Sequence, residues 1–195
     1  MNIHLQQAGK KYSGNWIFRN LNLTLAQGGT LAVLGPNGSG KSTLLQILSG
    51  AVLLTEGKIN YSSANRPINE EDVFREVAIA APYLELIEEF TIDECINLHL
   101  GFKKIVNNYT ASEVIELSGL KHALNKPIRF FSSGMKQRLK LTLACLSDVP
   151  LLLLDEPCSN LDSEAIQWYA ELIGVYGQQR TIVVCSNNQE NEFLF

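Results

Sequence analysis

"GPNGSGKST", Gly35 to Thr43, fits the pattern G-x-x-x-x-G-K-[ST] in full. The run before it, "TLAVLG", is short and apolar, as a buried strand requires; the run after it, "KSTLLQILSG", is helical and stops at Gly50, a C-terminal cap. A strand that feeds a glycine-rich turn and then a helix is the context in which this pattern cradles phosphate. The glycines let successive N–H groups point inward at phosphate oxygens, and the helix N-terminus adds partial positive charge. Gly35, Pro36, Asn37, Gly38, Ser39, Gly40, Lys41, Ser42 and Thr43 are therefore the candidate nucleotide cradle. Lys41 supplies charge to the β- and γ-phosphates, and the Ser42 hydroxyl suits Mg²⁺.

A second stretch points to the same chemistry. "LLLLDEP" ends an apolar strand with Asp155 and Glu156, and two carboxylates there are costly unless a cation or a phosphate reaction needs them. Asp155 suits an outer-shell partner of Mg²⁺. Glu156 suits polarising a water for in-line attack on a γ-phosphate. The plainer alternative is a strand that terminates in a polar turn before Pro157; the phosphate loop upstream favours the chemical reading.

The rest of the chain fills in around these two stretches. With 195 residues it has the size of one domain, or one domain with a subdomain, and buries about 70% of its unfolded surface. Its 46% hydrophobic and 18% charged content is that of a soluble globular chain. A net charge of −4 gives no field favouring nucleic acid, so none is expected as a partner. The longest apolar runs are too short to span a bilayer, and "MNIHLQQAGKKY" has no secretory apolar region. Cys95, Cys145, Cys158 and Cys185 form no C-x-x-C pair and no metal spacing with a histidine, and read as reduced cysteines of a cytosolic protein.

"NIHLQ" and "NLNLTLAQGG" alternate with period two, as half-buried antiparallel strands do. "EGKINYS", "VAIAAP", "LLLLD" and "TIVVCS" read as further strands, and "NRPINEEDVFRE" reads as polar loop. Thr91 with Glu94 and Thr110 with Glu113 form capping boxes before helices, and another helix is expected from about Ser163 to Ile173. Helical segments from about 91 to 146 interrupt the strand–helix alternation. The expected fold is α/β: a P-loop NTPase core with an antiparallel β subdomain and an inserted α-helical subdomain, all within one domain over 1–195. Inside the helical part lies "FFSSGMKQR", Phe130 to Arg138. By itself it is a helix start, with Ser132 or Ser133 as cap and Met135, Leu139 and Leu143 on one face.

A phosphate loop, then an S-x-G helix start, then "LLLLDEPCSNLD" at a strand end resembles the ATP-binding cassette (ABC) ATPases, from about Leu5 to Asn188. The resemblance gives "FSSGM", Phe131 to Met135, the place of the family signature, usually Leu-Ser-Gly-Gly-Gln. In that family two cassettes pair head to tail, so Ser132 and Gly134 would meet the γ-phosphate of ATP held by the partner chain. Tyr12 is similar to the aromatic that stacks on adenine, with Trp16 as fallback and a packed strand residue as the plainer reading. "SNLD", Ser159 to Asp162, matches the loop that crosses the dimer interface, and also suits a helix cap.

The chain departs from the family at several positions. Ser133 replaces a glycine and Met135 a glutamine; Pro82 and Tyr83 stand where a glutamine touches Mg²⁺ and the attacking water; Asn187 stands where a histidine contacts the γ-phosphate. An asparagine donates a hydrogen bond but carries no positive charge. The resemblance thus implies Glu156, Lys41 and Asn187 as catalytic positions, with hydrolysis slow in isolation or helped by a partner cassette. It also implies an ending shorter than the family's. His4, His99 and His122 match no motif, and the acidic cluster Glu85, Glu88, Glu89, Asp93 and Glu94 reads as a solvated face that in the family lies near a partner's coupling helix.

What the resemblance implies about function is a cytoplasmic subunit that binds and hydrolyses ATP with Mg²⁺ and powers a membrane transporter. Its partners would be a second ABC domain, identical or different, and a separate integral membrane permease that holds it at the membrane. The competing expectation is a soluble ABC-type clamp in assembly or translation. Such proteins usually carry two cassettes or long insertions, and this chain has neither. A small-molecule kinase is disfavoured by Glu156 and the signature.

Overall fold

The computed structural model describes residues 1–64, 66–187 and 192. Asn65, which opens the stretch read as loop, and Asn188, the far end of the resemblance, lie outside them. In chain order the strands are β1 (Asn2–Tyr12), β2 (Asn15–Leu25), β3 (Thr30–Leu34), β4 (Glu56–Ser63), β5 (Arg66–Ile68), β6 (Val77–Ala80), β7 (Leu151–Asp155) and β8 (Thr181–Ser186). The α-helices are α1 (Lys41–Leu48), α2 (Ile92–Phe102), α3 (Ala111–Ser118), α4 (Ser133–Leu146) and α5 (Ser163–Tyr176).

The strands form two sheets. One is antiparallel, in the order β2-β1-β4-β5; the other is parallel, in the order β3-β8-β7-β6. β7 explains the unbroken leucine run, because both of its faces are covered. Leu152 and Leu154 enter a core built with α2 to α5, while Leu151 and Leu153 enter a second core with α1 and the antiparallel sheet. β8 divides likewise, Ile182 and Val184 to one side, Val183 and Cys185 to the other. All four leucines are fully buried, each stabilising the fold by roughly 1.5–3 kcal/mol. All four cysteines are buried.

Several sequence expectations change in detail; the second strand starts at Asn15 and stops at Leu25, before the glycines, and the last helix runs on to Tyr176. The first antiparallel strand runs on to Tyr12, past the alternating "NIHLQ", because register shifts after Leu5 and around Ala8 break the period of two. It closes onto β2 through Ser13 and Gly14, both at positive φ, as a tight hairpin demands. The stretch read as polar loop instead supplies β5 and a 3-10 turn over Glu70–Arg75. Ile68 packs against the second core and Val73 is fully buried, and these two apolar side chains suffice to dock a polar segment on the sheet edge. Pro67 is tolerated there because β5 is an edge strand.

The helices between Ile92 and Leu146 pack as a group on the outer face of the parallel sheet. α2 and α3 each begin with a complete capping box, Thr91 with Glu94 and Thr110 with Glu113. No helix among the described residues is long and apolar enough to cross a membrane.

Candidate active site at the strand ends

In an open parallel sheet, ligands gather at the carboxyl ends of the strands. Here β3 delivers the phosphate loop to that edge, β7 delivers Asp155 and Glu156, and β8 delivers Ser186 and Asn187. Their levels match: Leu34 pairs with Ser186, Asp155 with Cys185, and Gly35 N donates to Ser186 O at 3.3 Å.

The phosphate loop needs its glycines for conformation and for space. Gly40 has φ 95°, and a Cβ there would lie 2.4 Å from Ile17 Cγ2 of β2. That contact seats the β1–β2 hairpin, and with it Tyr12, beside the loop. Gly40 is also the N-cap of α1 and provides no side-chain cap, so the first-turn N–H groups remain for an anion. Lys41 is buried, and its Nζ donates to Gly35 O at 2.7 Å, Pro36 O at 3.1 Å and Asn187 Oδ1 at 2.8 Å. The lysine and the asparagine, 146 positions apart in the chain, are thus brought into direct contact.

Asp155 is 2% exposed. Burial pushes its pKa up; the Ser42 hydroxyl and the Lys41 charge oppose that, while Glu156 adds to it. Its Oδ1 has no hydrogen-bond partner among the described residues. A buried carboxylate oxygen without a partner, next to a serine hydroxyl, fits a hard cation with oxygen ligands such as Mg²⁺. Among the described residues no cluster of three His, Cys, Asp or Glu could hold a metal alone, so such a cation would need phosphate and water for its remaining ligands.

Glu156 sits in left-handed backbone, φ 47°. This conformation is unfavourable for a glutamate and persists only where its surroundings enforce it. Glu156 N donates to Cys185 O at 2.9 Å and Ser159 N donates to Glu156 O at 3.0 Å. Buried Gln137 of α4 donates from Nε2 to Pro157 O at 2.9 Å, with Glu156 O 3.5 Å away. Gln137 was not singled out in the sequence, where the only signal is its place five residues after Ser132 in the same helix.

The start of α4 occupies a different surface. Ser132 is the N-cap, its Oγ accepting from Met135 N at 3.2 Å, and Ser132 and Ser133 are exposed. A Cβ on Gly134 would lie 2.8 Å from Asn160 O, so the helix start rests against the loop from Ser159 to Asp162. Ser132, Gly134, Asn160 and Asp162 line one recess, and no residue of Gly35–Thr43 lines it. Asp162 also caps α5, Oδ1 accepting from Ala165 N at 2.8 Å.

The remaining candidates divide by exposure. Tyr12 is 44% exposed at the hairpin end, with Lys10 Nζ 4.7 Å from its ring centroid. Trp16 is engaged already, flanked by Arg19 at 4.5 Å and Lys11 at 5.5 Å and lying against Gly9. His99 bonds Ser147 Oγ at 2.8 Å; burial and then Lys103 bring its pKa down to about 4, so it is a neutral packing residue. His4 and His122 are exposed, as is the acidic cluster, in which Glu94 is a capping residue and Glu88 pairs with Lys136.

Comparison with known proteins agrees with this geometry. The family model for ABC transporters matches residues 18–159. YcbN of Bacillus subtilis, an uncharacterized ABC transporter ATP-binding protein, is 31% identical over 91% of this chain and 59% of its own length. The lantibiotic transport ATP-binding protein SrtF of Streptococcus pyogenes is 28% identical over 95% of this chain and 80% of its own. Among solved structures, a dimeric ATP-binding cassette in a post-hydrolysis state, bound to ADP and Pi, superposes with a TM-score of 0.81 at 24% identity, covering 97% of this chain and 90% of that one. A bacterial Atm1-family ABC exporter with ATP bound gives 0.78 at 21%, covering 96% of this chain and 35% of that one. At these identities the structural likeness establishes the fold, which is that of the ABC cassette. The phosphate loop, the signature position and the acidic strand end thus stand in a known frame: the chain belongs to the ABC transporter family, as an ATP-binding cassette of the ABC-type ATPases.

Proposed function

We propose that this chain binds and hydrolyses MgATP as the nucleotide-binding subunit of a membrane transporter. In this reading it works in a head-to-tail pair with a second ABC domain, identical or different, held at the cytoplasmic face of the membrane by a separate permease. The cassette spans 1–195, with residues from about 91 to 146 as its helical subdomain. The observation that carries the proposal is the meeting, at one edge of the parallel sheet, of the uncapped α1 N-terminus, the Lys41 ammonium and the partnerless Asp155 oxygen.

The roles follow from the chemistry of each group. The N–H groups of Gly35–Thr43 and the Lys41 ammonium neutralise the phosphates, and Lys41 exchanges its carbonyl partners for phosphate oxygens. Ser42 and Asp155 hold Mg²⁺, which when bound neutralises charge on the phosphate oxygens. Glu156 takes the proton of the attacking water. Tyr12 stacks on the adenine. Asn187, in contact with Lys41, hydrogen-bonds near the γ-phosphate without adding charge, and turnover in isolation is slow. Ser132 and Gly134 close over nucleotide held by the partner chain. The names of relatives support transport over a soluble clamp: besides SrtF, the bacitracin transport protein BcrA of Bacillus licheniformis is 31% identical over 90% of this chain.

The test is steady-state ATP hydrolysis by purified protein, alone and with a co-purified membrane partner. Slow Mg²⁺-dependent turnover that vanishes in Glu156→Gln is expected. Glu156→Gln with wild-type turnover would overturn the assignment of the base.

A further inference from the structure

The turn after β7 is gripped from two directions. Pro157 O accepts from Gln137 of α4 at 2.9 Å, and Cys158 N donates to Glu192 Oε1, from beyond β8, at 3.2 Å. The other N–H groups of the turn are met by backbone: that of Glu156 by Cys185 O, that of Ser159 by Glu156 O. Pro157 has no N–H to give. Glu192 is 1% exposed, and its Oε2 has no hydrogen-bond partner among the described residues. Its own main chain is anchored to the core, with the hydroxyl of fully buried Tyr169 3.5 Å from Glu192 O. Burying an acid with one oxygen unpaired is costly, and a leucine would fill the same space at lower cost. What the acid adds over a leucine is the acceptor for Cys158 N.

We propose that Glu192 is a positioning residue for Glu156: by accepting from Cys158 N it holds the left-handed turn on which the base of the reaction stands. Glu156 has φ 47°, a conformation that costs about 1–3 kcal/mol and that the surrounding contacts must enforce. Gln137 donates to the turn and Glu192 accepts from it, so the two side chains fix successive residues, Pro157 and Cys158, in opposite senses. Without Glu192 the Cys158 N–H would lose this acceptor inside the protein, and the turn could relax towards ordinary backbone, carrying Glu156 with it. Glu192 makes and breaks no bond in the reaction. Burial pushes its pKa up, so a glutamine, neutral and of the same reach, is the variant that keeps its function.

This inference rests on the MgATPase reading with Glu156 as base, and the experiment separates the two. Turnover, KM, equilibrium ATP binding and thermal unfolding are measured for wild type, Glu192→Gln, Glu192→Leu and Glu192→Asp. Glu192→Leu is expected to lose roughly tenfold or more in kcat, with KM and ATP affinity within about twofold, because the base shifts while the phosphate loop does not. Glu192→Gln keeps an oxygen at the same reach and is expected to stay within about threefold of wild-type kcat. Glu192→Asp keeps the charge but is one methylene short, and is expected to be as impaired as Glu192→Leu. Should Glu192→Leu fail to fold, the contrast between Asp and Gln carries the test. A merely structural Glu192 would show in the melting temperature and leave kcat per folded molecule unchanged. Wild-type kcat in folded Glu192→Leu or in Glu192→Asp, a Glu192→Gln as impaired as either, or a loss of ATP affinity that parallels the loss of kcat would each overturn the proposal. Failure of the underlying reading looks different: the wild type itself would hydrolyse no ATP, or Glu156→Gln would turn over like the wild type.

Discussion

The chain has two helix starts that the sequence marks for phosphate, and the structure builds them in opposite ways. α1 begins with a left-handed glycine, no side-chain cap and a buried lysine, so its unsatisfied N–H groups face the site of their own chain. α4 begins with a serine that caps Met135 N, exposed and without a charge of its own, against the carbonyl of Asn160. The first start is costly in isolation and complete once an anion binds. The second is satisfied in isolation, and nothing within its own recess comes from the phosphate loop. The contrast is between a helix N-terminus left open beside the phosphate loop and one already capped on another surface; under the proposed function the first meets nucleotide of its own chain and the second that of a partner.

The largest expected effect falls on the first start. Lys41→Ala removes the ammonium that Gly35, Pro36 and Asn187 hold in place, and ATP affinity or turnover should fall at least ~10²-fold in an equilibrium binding or hydrolysis assay. Wild-type affinity and turnover in this variant would erase the distinction between the two starts. Asn187→His comes next. The present asparagine spends its oxygen on Lys41, and a ring N–H directed at the γ-phosphate should raise basal turnover roughly tenfold. No change, or a fall, in steady-state turnover would mean that Asn187 serves only to hold Lys41. The smallest effect belongs to Ser132→Ala. Loss of the cap should cost about 1 kcal/mol, a fall in Tm of roughly 2–4 °C for a chain of this size, while monomer ATP affinity stays unchanged. A calorimetric scan checks the first part, and a loss of monomer affinity would place Ser132 in its own chain's pocket.

What the sequence made legible follows from how local each signal is. The phosphate loop and the acidic end of β7 are contiguous stretches whose residue types carry their own chemistry, and both lie at the sheet edge that the strand–helix alternation implies. The leucine run of β7 and the capping boxes of α2 and α3 are equally local. The missed features join distant segments. Gln137 meets Pro157 only because α4 packs behind β7. β5 escaped because an edge strand needs one buried face only, and Ile68 alone provides it. In β1, the irregular register hid a long strand behind a broken alternation.

The central claim, that the α4 start acts on nucleotide held by another chain, is tested most directly by size-exclusion chromatography with ATP on Ser132→Arg and Glu156→Gln, beside equilibrium ATP binding on each. The account predicts that Ser132→Arg binds ATP as a monomer with near-normal affinity but neither dimerises nor hydrolyses, because a bulky side chain fills the gap over the γ-phosphate. It predicts that Glu156→Gln accumulates as an ATP-bound dimer, keeping the phosphate contacts while cleavage slows. A Ser132→Arg protein that dimerises and hydrolyses normally would reduce "FFSSGMKQR" to a helix cap, and one that loses ATP affinity as a monomer would place the stretch in its own chain's pocket; either result contradicts the account.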